Sequence, residues 1–365
     1  MTSRFKTFYN QGIKERRERE WSMSSKIQDI AKLAGVSPAT VSLALNDKPG
    51  VSLTTKRKIQ QLAKQMNYVP NRLAQGLQGG KSNNVLVFMS GPQYDYFNSP
   101  FYFETLKHLS RGLSESPYHM MLQIATADME QEQLQAIAAG KGYDAAVFMG
   151  LRMPLETAAG IVGESKPLVF INRPCGELGY SVNADYATGM ELLTRHLIGL
   201  GHQDIAFIGY SPKLVSSELR MTGFRRAFAE AGLPVPENRV YYADYYQESG
   251  YLAMRKLIQS GAALPSAVIG GNDLIAIGVL EALLDAGLRV PEDISVAGVD
   301  NIPNTHLLKV PLTTVHVSHD AIGFAAAQAV IGLLDGKAME RETWVDVSLV
   351  QRQSTSAPGG NGSAG

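Results

Sequence analysis

Few residues in this sequence have the types and spacing that catalysis or metal binding requires. The segment His316-x-x-His319-Asp320 comes nearest to a metal cluster, but it lacks the flanking helix pattern of known zinc motifs. A surface or crossover segment is the better interpretation of this histidine pair. Cys175 is the only cysteine, which excludes an internal disulfide and a cysteine-based zinc cluster. We therefore expect no metal and no cofactor.

The patterns that mark common enzymes are also missing from the sequence. No serine lies in a G-x-S-x-G turn, and no G-x-x-x-x-G-K-[ST] loop could bind the phosphates of a nucleotide. His202 follows Gly201 at the end of a predicted helix, where a helix cap is a simpler role than catalysis. The sequence therefore argues against an enzyme on an α/β scaffold.

Length and hydropathy limit the remaining classes of protein. The 365 residues are enough for two or more folding units. No run approaches the roughly 18 apolar residues of a membrane-spanning helix. Residues 1–25 carry charges throughout, unlike a secretory signal. We expect a cytoplasmic protein that does not contact a membrane.

The net charge of zero hides a strong asymmetry along the chain. Residues 26–81 contain nine Lys and Arg side chains against two Asp, a net charge of +7, and residues 1–25 add +3. The rest of the chain must therefore carry −10. A basic head on an acidic body is typical of a protein that binds nucleic acid through the head. The alternative is that charged residues on solvent-exposed surfaces are distributed unevenly by chance. The sequence motifs must therefore decide whether the protein binds nucleic acid.

Three short helices are predicted at the basic end, after residues 1–25, which we expect to be disordered. A translation start at Met23 would remove nearly all of that extension. Gly35 ends the first helix, and Ser37 caps the second, which has Pro38 at its first position. Two helices separated by three residues form a helix-turn-helix. A third helix is predicted over 54–67, with its lysines and Arg57 facing outward.

A short helical stretch over 72–77 follows, and from residue 85 apolar strands alternate with amphipathic helices. Such alternation predicts right-handed βαβ units, parallel sheets and, over this length, two lobes. The predicted strands are 85–89, 145–149, 167–171, 204–208, 267–269 and 294–299. The predicted helices include 103–116, 130–139, 186–200, 218–232, 247–260 and 273–287.

The run KIQDIAKLAGVSPATVSLALND, followed by TTKRKIQQLAKQMNYVPNRLAQGL, resembles the lactose-repressor (LacI/GalR) family of bacterial transcription regulators. The likeness continues through LLTRHLIGLGHQDIAFIG, RMTGF, GGNDLIAIGVLEALLDAGLRVPEDISVAGVDN, PLTTVHVS and QRQST, and so covers residues 26–355. It implies an all-α helix-turn-helix headpiece, a hinge helix, and an α/β core similar to periplasmic sugar-binding proteins. In that core the chain would cross between lobes near Asp185, Val315 and Val345.

The resemblance sets the expected domain boundaries. The headpiece covers 26–70, the hinge helix and linker 71–82, the two-lobed core 83–355, and a disordered tail 356–365. Within the core, the N-terminal lobe takes residues 83–185 and 316–345, and the C-terminal lobe takes 186–315 and 346–355.

In a helix-turn-helix the early residues of the second helix meet base edges in the major groove. Here these residues are Pro38, Ala39, Ser42 and Leu43. Leu43 stands where the family most often has an arginine, so few direct hydrogen bonds to bases are expected and DNA shape should matter more. Phosphate contacts are expected from Thr40, Asn46, Thr55, Lys56, Arg57 and Arg72, with helix caps and surface polarity as the alternative.

By the same resemblance, Leu77 is the hinge residue that each subunit pushes between base steps in the minor groove. An ordinary leucine that packs on its own short helix is the alternative. Gly76 lowers helix propensity by roughly 1 kcal/mol relative to alanine, which suits a hinge that folds only on DNA.

Effector contacts are implied for Arg220 in RMTGF, Asn272 in GGND and Asp300 in GVDN, whose side chains suit a polyol. Arg173 and Asp185 are further candidates, and for each of these five a salt bridge or turn cap is the alternative. Sugar sites also favour an aromatic platform, for which Phe101 is the first candidate. Phe97, Tyr102, Tyr245 and Tyr246 are others, and for each of these aromatic residues a place in the core is the alternative.

Together these features predict a homodimeric transcription repressor that binds pseudo-palindromic double-stranded DNA. Its effector should be a sugar or sugar derivative, and a purine-type co-repressor is the alternative. A transport-type binding protein is the rival class, but the basic headpiece and the lack of an export signal speak against it. No heptads follow Ser354, so a coiled-coil tetramer is not expected.

Overall fold

The computed structural model describes residues 27–45, 49–66, 68, 82–91, 99–126, 129–139, 142–150, 153–163, 166–212 and 214–359. The chain forms two compact units, residues 1–80 and 81–365. Several predicted features lie outside the described residues: the extension over 1–25, Asn46, Arg72, Leu77, Phe97, and the tail from residue 360. Among the residues described, no helix is both long and apolar enough to cross a membrane.

The first unit contains the predicted helix-turn-helix. Its helices are α1 (Ile27–Ala34), α2 (Pro38–Leu45) and α3 (Leu53–Gln65). Gly35 has a φ of +72°, the left-handed conformation that ends α1. Ser37 Oγ accepts from the Thr40 amide at 3.1 Å, and Ser52 Oγ accepts from the Thr55 amide at 3.2 Å. The small core of this unit consists of Ile30, Ala31, Ala34, Val41, Ala44, Ile59 and Ala63.

The second unit contains two β-sheets with mostly parallel strands, as expected for a two-lobed core. The first sheet has the order β11-β5-β4-β3-β1-β2, and all its strand pairs are parallel. Its strands are β1 (Asn84–Gly91), β2 (His119–Thr126), β3 (Ala145–Met149), β4 (Leu168–Ile171), β5 (Tyr180–Ala184) and β11 (Glu342–Val345). The helices of this lobe are α4 (Pro100–Ser114), α5 (Glu130–Ala139), α6 (Leu155–Val162) and α11 (His319–Leu334).

The second sheet has the order β12-β10-β9-β8-β6-β7. Its edge strand β12 runs antiparallel to β10, so this sheet is mixed instead of fully parallel. Its strands are β6 (Ile205–Tyr210), β7 (Val240–Ala243), β8 (Ala267–Gly270), β9 (Ser295–Asp300), β10 (Thr313–Val317) and β12 (Val347–Val350). Its helices are α7 (Tyr186–Gly199), α8 (Val215–Glu230), α9 (Gln247–Gln259) and α10 (Asp273–Asp285).

The chain passes between the lobes at three places. The crossings at Asp185 and after Val345 agree with the sequence. The middle crossing was predicted near Val315, with the N-terminal lobe resuming at residue 316. In the structure His316 and Val317 still pair in the second sheet, and the chain leaves it at Ser318, close to the predicted position.

The histidine pair near this crossing also differs from expectation. His316 lies in β10, and His319 is the first residue of α11 and is buried. Of the two interpretations offered for this segment, a crossover agrees with the structure, whereas an exposed surface position does not hold for His319. Sequence periodicity missed α11 because alanine, glycine and large apolar residues surround the whole helix. Burial on several sides removes the polar stripe by which a helix is recognised.

The C-terminal segment remains ordered beyond its predicted end. Ser354 is buried, and its hydroxyl donates to the Val296 carbonyl at 2.6 Å. The Ser356 amide donates to Ser295 Oγ at 3.1 Å, and the Ser356 carbonyl accepts from His202 Nε2 at 2.8 Å. Ser356, predicted as the first residue of a disordered tail, is therefore held in place by these hydrogen bonds.

Helices α7 and α8 approach each other closely at Gly223. A Cβ on this residue would lie 2.0 Å from the Ala187 carbonyl oxygen. The glycine of RMTGF is thus required for packing, because any side chain would force the two backbones apart. This contact brings the start of α7, with Tyr186, against the part of α8 that carries Arg220.

We predict that Gly223→Ala lowers the stability of the core by about 1–3 kcal/mol, the usual effect of overpacking. Urea unfolding of the full chain measures this change. Gly199→Ala is the matched control in α7, because a Cβ there meets open space, and it should leave stability unchanged or raise it. Equal stability of the two variants would contradict the role assigned to the close contact.

Candidate functional site

The expected DNA-reading residues lie at the start of α2. Pro38 and Ala39 are exposed, whereas Ser42 and Leu43 are half-buried. This helix carries no charged residue, so its exposed face offers apolar contact and a few hydroxyl groups. Base reading by this surface would therefore depend on shape and methyl contacts more than on charge-assisted hydrogen bonds.

The expected phosphate contacts within the described residues lie in α2 and α3. The Thr40 hydroxyl lies 2.9 Å from Ser37 Oγ, and the Thr55 hydroxyl lies 2.8 Å from Ser52 Oγ. Both threonines thus also belong to helix caps, which was the alternative interpretation. Arg57 is exposed and Lys56 half-buried on α3, where they add positive charge beside the caps.

In the core, neighbouring strands of the second sheet bring three polar segments to one edge. β6 ends at Tyr210, β8 ends just before Gly271-Asn272, and β9 ends at Asp300. These three strands are adjacent in the order β9-β8-β6 and run parallel. Their carboxyl ends therefore meet at one edge, which is where open α/β sheets bind ligands.

Arg220 and Asp300 form a buried ion pair at this edge. Arg220 Nη2 lies 3.4 Å from Asp300 Oδ1, and Nη1 donates to the Ser216 carbonyl at 2.9 Å. Arg220 is only 2% exposed, and its Nε has no hydrogen-bond partner among the described residues. A buried donor without a partner costs free energy, so its position requires an explanation.

Two tyrosines surround the guanidinium of Arg220. Its central carbon lies 3.6 Å from the centroid of the Tyr186 ring and 5.2 Å from that of Tyr210. Both distances are within the range of cation–π attraction. The Tyr186 hydroxyl in turn accepts from Asn172 Nδ2 of the first lobe at 3.1 Å. Burial raises the pKa of both tyrosines, with Asp300 adding to the effect, so both remain neutral phenols.

The backbone at Asp300 is unusual. Its φ is 113°, a conformation that residues other than glycine rarely adopt and that costs about 1–3 kcal/mol. The buried carboxylate of Asp273 holds the following loop, accepting from the Ile302 amide at 2.8 Å and from Thr314 Oγ1 at 2.5 Å. Burial raises the pKa of Asp273, and the nearby Asp300 carboxylate raises it further. Asp273 therefore fixes the strained position of Asp300.

The carboxyl group of Asp300 has a pKa close to neutral pH. Burial raises the pKa of its carboxyl to about 6, although the guanidinium of Arg220 opposes that rise. The group is therefore mainly a carboxylate at neutral pH and becomes protonated in mild acid. As a carboxylate it can accept hydrogen bonds from ligand hydroxyls.

Asn272 has a structural role at the same edge. Its Oδ1 accepts from the Ile275 amide at 2.8 Å as the N-cap of α10, and its Nδ2 donates to the Tyr245 carbonyl at 3.0 Å. Tyr245 itself stacks on Tyr210, with ring centroids 4.2 Å apart. The amide thus links the cap, the Tyr245 loop and the aromatic pair, and one N–H bond and one lone pair remain for a ligand.

The remaining candidates from the sequence belong to the first lobe or the first crossing. Phe101 meets the rings of Tyr102 and His319 edge to face, at 5.3 and 5.4 Å. The Asp185 carboxylate caps α7 through the amide and hydroxyl of Thr188 at 3.0 and 2.6 Å. Arg173 follows β4 and is half-buried, and burial lowers its pKa while Glu130 and Glu156 oppose this.

Four residues near this edge were not among the predicted effector contacts: Tyr186, Tyr210, Asp273 and His319. Each lies where a strand ends or a helix begins, a signal by which Tyr186 and Tyr210 could have been noticed. The roles of Asp273 and His319 depend in addition on contacts with distant segments. No group of three or more His, Cys, Asp or Glu within the described ranges could hold a metal ion.

We predict that Arg220→Met lowers stability by about 3–5 kcal/mol near neutral pH, because it leaves the buried Asp300 carboxylate without its partner. Loss of the guanidinium should raise the Asp300 pKa above its present value of about 6. The folded chain then holds this proton more tightly than the unfolded chain. The loss of stability is therefore complete at pH values above the pKa of Asp300 in the folded variant, and it declines as the pH falls through that pKa.

Urea unfolding at about pH 8 and about pH 5 tests this pH dependence. The difference between wild type and Arg220→Met should shrink at the lower pH. A loss of the same size at both values would mean that Asp300 does not carry the uncompensated charge.

Comparison with known proteins agrees with this architecture. Residues 26–71 match the family described as bacterial regulatory proteins, lacI family, and residues 194–355 match the periplasmic binding protein-like domain. The structure of the Lac repressor dimer bound to operator and the anti-inducer ONPF superposes with a TM-score of 0.81 at 24% identity, over 92% of this chain and 100% of that chain. The complex of the transcriptional regulator CelR with cellobiose superposes with a TM-score of 0.70 at 29% identity, over 90% and 99%.

Curated relatives align over nearly the whole chain. The transcriptional regulator CelR of Thermobifida fusca is 29% identical over 333 residues, 90% of this chain and 97% of that protein. The transcriptional repressor PurR of Klebsiella pneumoniae is 28% identical over 338 residues, 90% and 96%. Catabolite control protein A of Priestia megaterium is 30% identical over 348 residues, 91% of this chain and the whole of that protein. The chain therefore belongs to the lacI family of bacterial regulatory proteins and is a transcription regulator, not an enzyme.

Proposed function

We propose that this regulator is a repressor that binds a pseudo-palindromic operator as a homodimer and responds to a carbohydrate in the cleft of its core. The observation that carries the effector assignment is the buried Arg220–Asp300 pair at the carboxyl edge of the second sheet, where Arg220 Nε has no hydrogen-bond partner among the described residues. A fork of donors beside an acceptor suits vicinal hydroxyls. In the cytoplasm, a metabolite of this class would report on nutrient supply.

The aromatic residues of the cleft support a sugar ligand. Tyr186 and Tyr210 flank the guanidinium, and Tyr245 extends the aromatic surface beside Asn272. The apolar C–H faces of a sugar ring can pack on such rings while its hydroxyls bond to the polar groups. Because the structure of the relative CelR contains cellobiose, a disaccharide is the first compound to test.

A purine-type co-repressor is the second candidate. A planar base could stack against the same tyrosines, and Asn272 has donor and acceptor capacity for its edge. The two ligand classes differ in their hydroxyl content, so a binding screen separates them directly.

Among the candidate contacts, Arg220, Asp300 and Asn272 form the centre of the proposed effector site. Phe101 would close it from the first lobe. Arg173 and Asp185 are secondary contacts in this proposal. The Asp185 carboxylate already accepts hydrogen bonds from the amide and hydroxyl of Thr188.

Regulation would follow from the two-lobed architecture. A ligand that contacts both lobes favours one angle between them, and the preferred angle shifts the population of DNA-binding dimers. No chemical step is needed. Whether the ligand releases or strengthens DNA binding depends on the angle that it favours.

On the DNA side, we propose base contacts from Pro38, Ala39, Ser42 and Leu43 and insertion of Leu77 into the minor groove. Phosphate contacts would come from Thr40, Thr55, Lys56 and Arg57, together with Asn46 and Arg72. The exposed start of α2 and the capped threonines beside it support the assignments within the described residues.

A combined screen tests the proposed function. Thermal-shift measurements on the full chain with cellobiose, ribose, glucose 6-phosphate and hypoxanthine should give a rise in Tm with a sugar, because ligand binding stabilises the native state. Gel shifts with genomic fragments should then recover a two-fold symmetric site whose occupancy changes with that sugar. Stabilisation by hypoxanthine alone would favour the second candidate.

We predict that Leu77→Ala weakens operator binding at least tenfold, because each subunit loses the apolar wedge that kinks the duplex. Quantitative gel shifts measure this loss, and the Tm increase given by the sugar should not change. Leu53→Ala is a control on an exposed leucine of α3 and should affect neither property. Operator affinity equal to that of the wild type would refute insertion.

We also predict that the affinity for a sugar falls roughly tenfold between about pH 7 and about pH 5, because protonated Asp300 loses its charge and is a weaker acceptor for ligand hydroxyls. The pKa of about 6 places the change in this interval. Isothermal titration at several pH values measures it. Asp300→Asn, which cannot titrate, should bind weakly and without this pH dependence, and a sloping profile in that variant would contradict the assignment.

A further inference from the structure

His319 is a buried histidine whose ring nitrogens form no hydrogen bond with the described residues. It is 8% exposed, and within the part of the chain that the structure describes neither ring nitrogen finds a donor or an acceptor. The backbone carbonyl of Asp300 lies near the ring but outside hydrogen-bonding geometry. A neutral imidazole has one N–H to donate and one lone pair that accepts. Burial of both without partners is costly, and a native structure rarely tolerates it without a reason.

Another buried histidine shows how this fold treats a structural imidazole. His202 is 1% exposed, and its Nδ1 lies 2.9 Å from Ser266 Oγ while its Nε2 lies 2.8 Å from the Ser356 carbonyl. Both nitrogens therefore contribute to packing of the C-terminal segment. The contrast indicates that the nitrogens of His319 serve something other than the folded chain itself.

The position of His319 relates it to the proposed effector cleft. It begins α11, which packs against α4 and the strands of the first sheet. Its ring meets Phe101 edge to face at 5.4 Å. In β10, His316 is the register partner of Asp300, and this strand ends at Val317, two residues before His319. His319 is thus a first-lobe residue beside the second-lobe pair Arg220–Asp300.

The charges around the ring favour a neutral imidazole. Burial lowers the pKa of His319 to about 4, and nearby His316 lowers it further, while Glu104 and Asp320 oppose this. The Arg220 and Asp300 charges cancel each other at neutral pH. The three side chains therefore present donors and acceptors without a net charge, which suits an uncharged hydroxylated ligand better than a sugar phosphate.

We propose that His319 is an effector-binding residue of the first lobe, which exchanges hydrogen bonds with a hydroxyl of the uncharged ligand that Arg220 and Asp300 hold from the second lobe. A ligand bound in this way connects the two lobes, so His319 would determine both ligand choice and the lobe angle that binding favours. This assignment rests on the proposed function, because it requires an effector in the same cleft.

The test compares the same substitution at the two buried histidines in the full chain. Without ligand, His319→Phe should raise Tm by about 2 °C or more, because it removes two unpartnered polar nitrogens and keeps the ring contact with Phe101. His202→Phe should lower Tm by several degrees, because it breaks two hydrogen bonds. A fall in Tm for His319→Phe would show a structural role and overturn the inference.

Ligand binding is measured on the same proteins by isothermal titration with cellobiose, ribose, glucose 6-phosphate and hypoxanthine. For the compound that binds the wild type, His319→Phe should weaken affinity about tenfold or more, and His319→Gln should restore part of it by keeping a donor and an acceptor. His202→Phe should bind like the wild type below its Tm. A preference for glucose 6-phosphate would contradict the uncharged ligand class.

The outcomes separate this inference from the proposed function. Wild-type affinity in His319→Phe, with binding lost in Arg220→Met, would leave the proposed cleft in place and overturn the role of His319. A wild type that binds none of the four compounds would contradict the carbohydrate assignment. In that case the comparison of the ligand-free Tm values alone decides whether the His319 nitrogens serve folding.

Discussion

The buried charge of Arg220 is the constraint on which the effector cleft depends. A guanidinium that is almost fully removed from water must be compensated, and Asp300, the Ser216 carbonyl and two tyrosine rings supply that compensation. Each partner requires further structure in turn. Gly223 lets α7 approach α8 so that Tyr186 reaches the guanidinium, and Asp273 holds the loop that keeps Asp300 in its strained conformation. The compensation is incomplete, because the Arg220 Nε remains without a partner in the described chain.

This incompleteness connects packing with regulation. The second lobe supplies a charge pair with a spare donor, and the first lobe supplies His319 and Phe101 across from it. A ligand that forms hydrogen bonds with both lobes binds most tightly at the lobe angle that brings both sets of groups within reach. Its binding free energy therefore stabilises that angle relative to others. The Asn172–Tyr186 hydrogen bond already joins the lobes without a ligand, which limits how far they can separate at that point.

The sequence predicted the headpiece and much of the core because local signals agree with the fold there. Gly35, Ser37 and Pro38 define the helix-turn-helix through backbone preferences alone, and the strand over 145–149 is apolar throughout. The strands β2, β5, β7, β10, β11 and β12 were not predicted. β7, β11 and β12 are short and half-exposed, and β5 and β10 are short runs that contain polar residues. Arg220, Asn272 and Asp300 were found through family motifs. His319 was not, because the importance of an unpartnered imidazole is visible only when its neighbours are known.

The most direct test of this account is a crystal structure of the full chain with the sugar that raises its Tm most. If the buried pair is the centre of effector binding, we expect ligand oxygens within hydrogen-bonding distance of Arg220 Nε, the Asp300 carboxylate and a ring nitrogen of His319. A sugar bound elsewhere, with these three groups as they are in the ligand-free chain, would contradict the claim that the buried pair is the centre of effector binding.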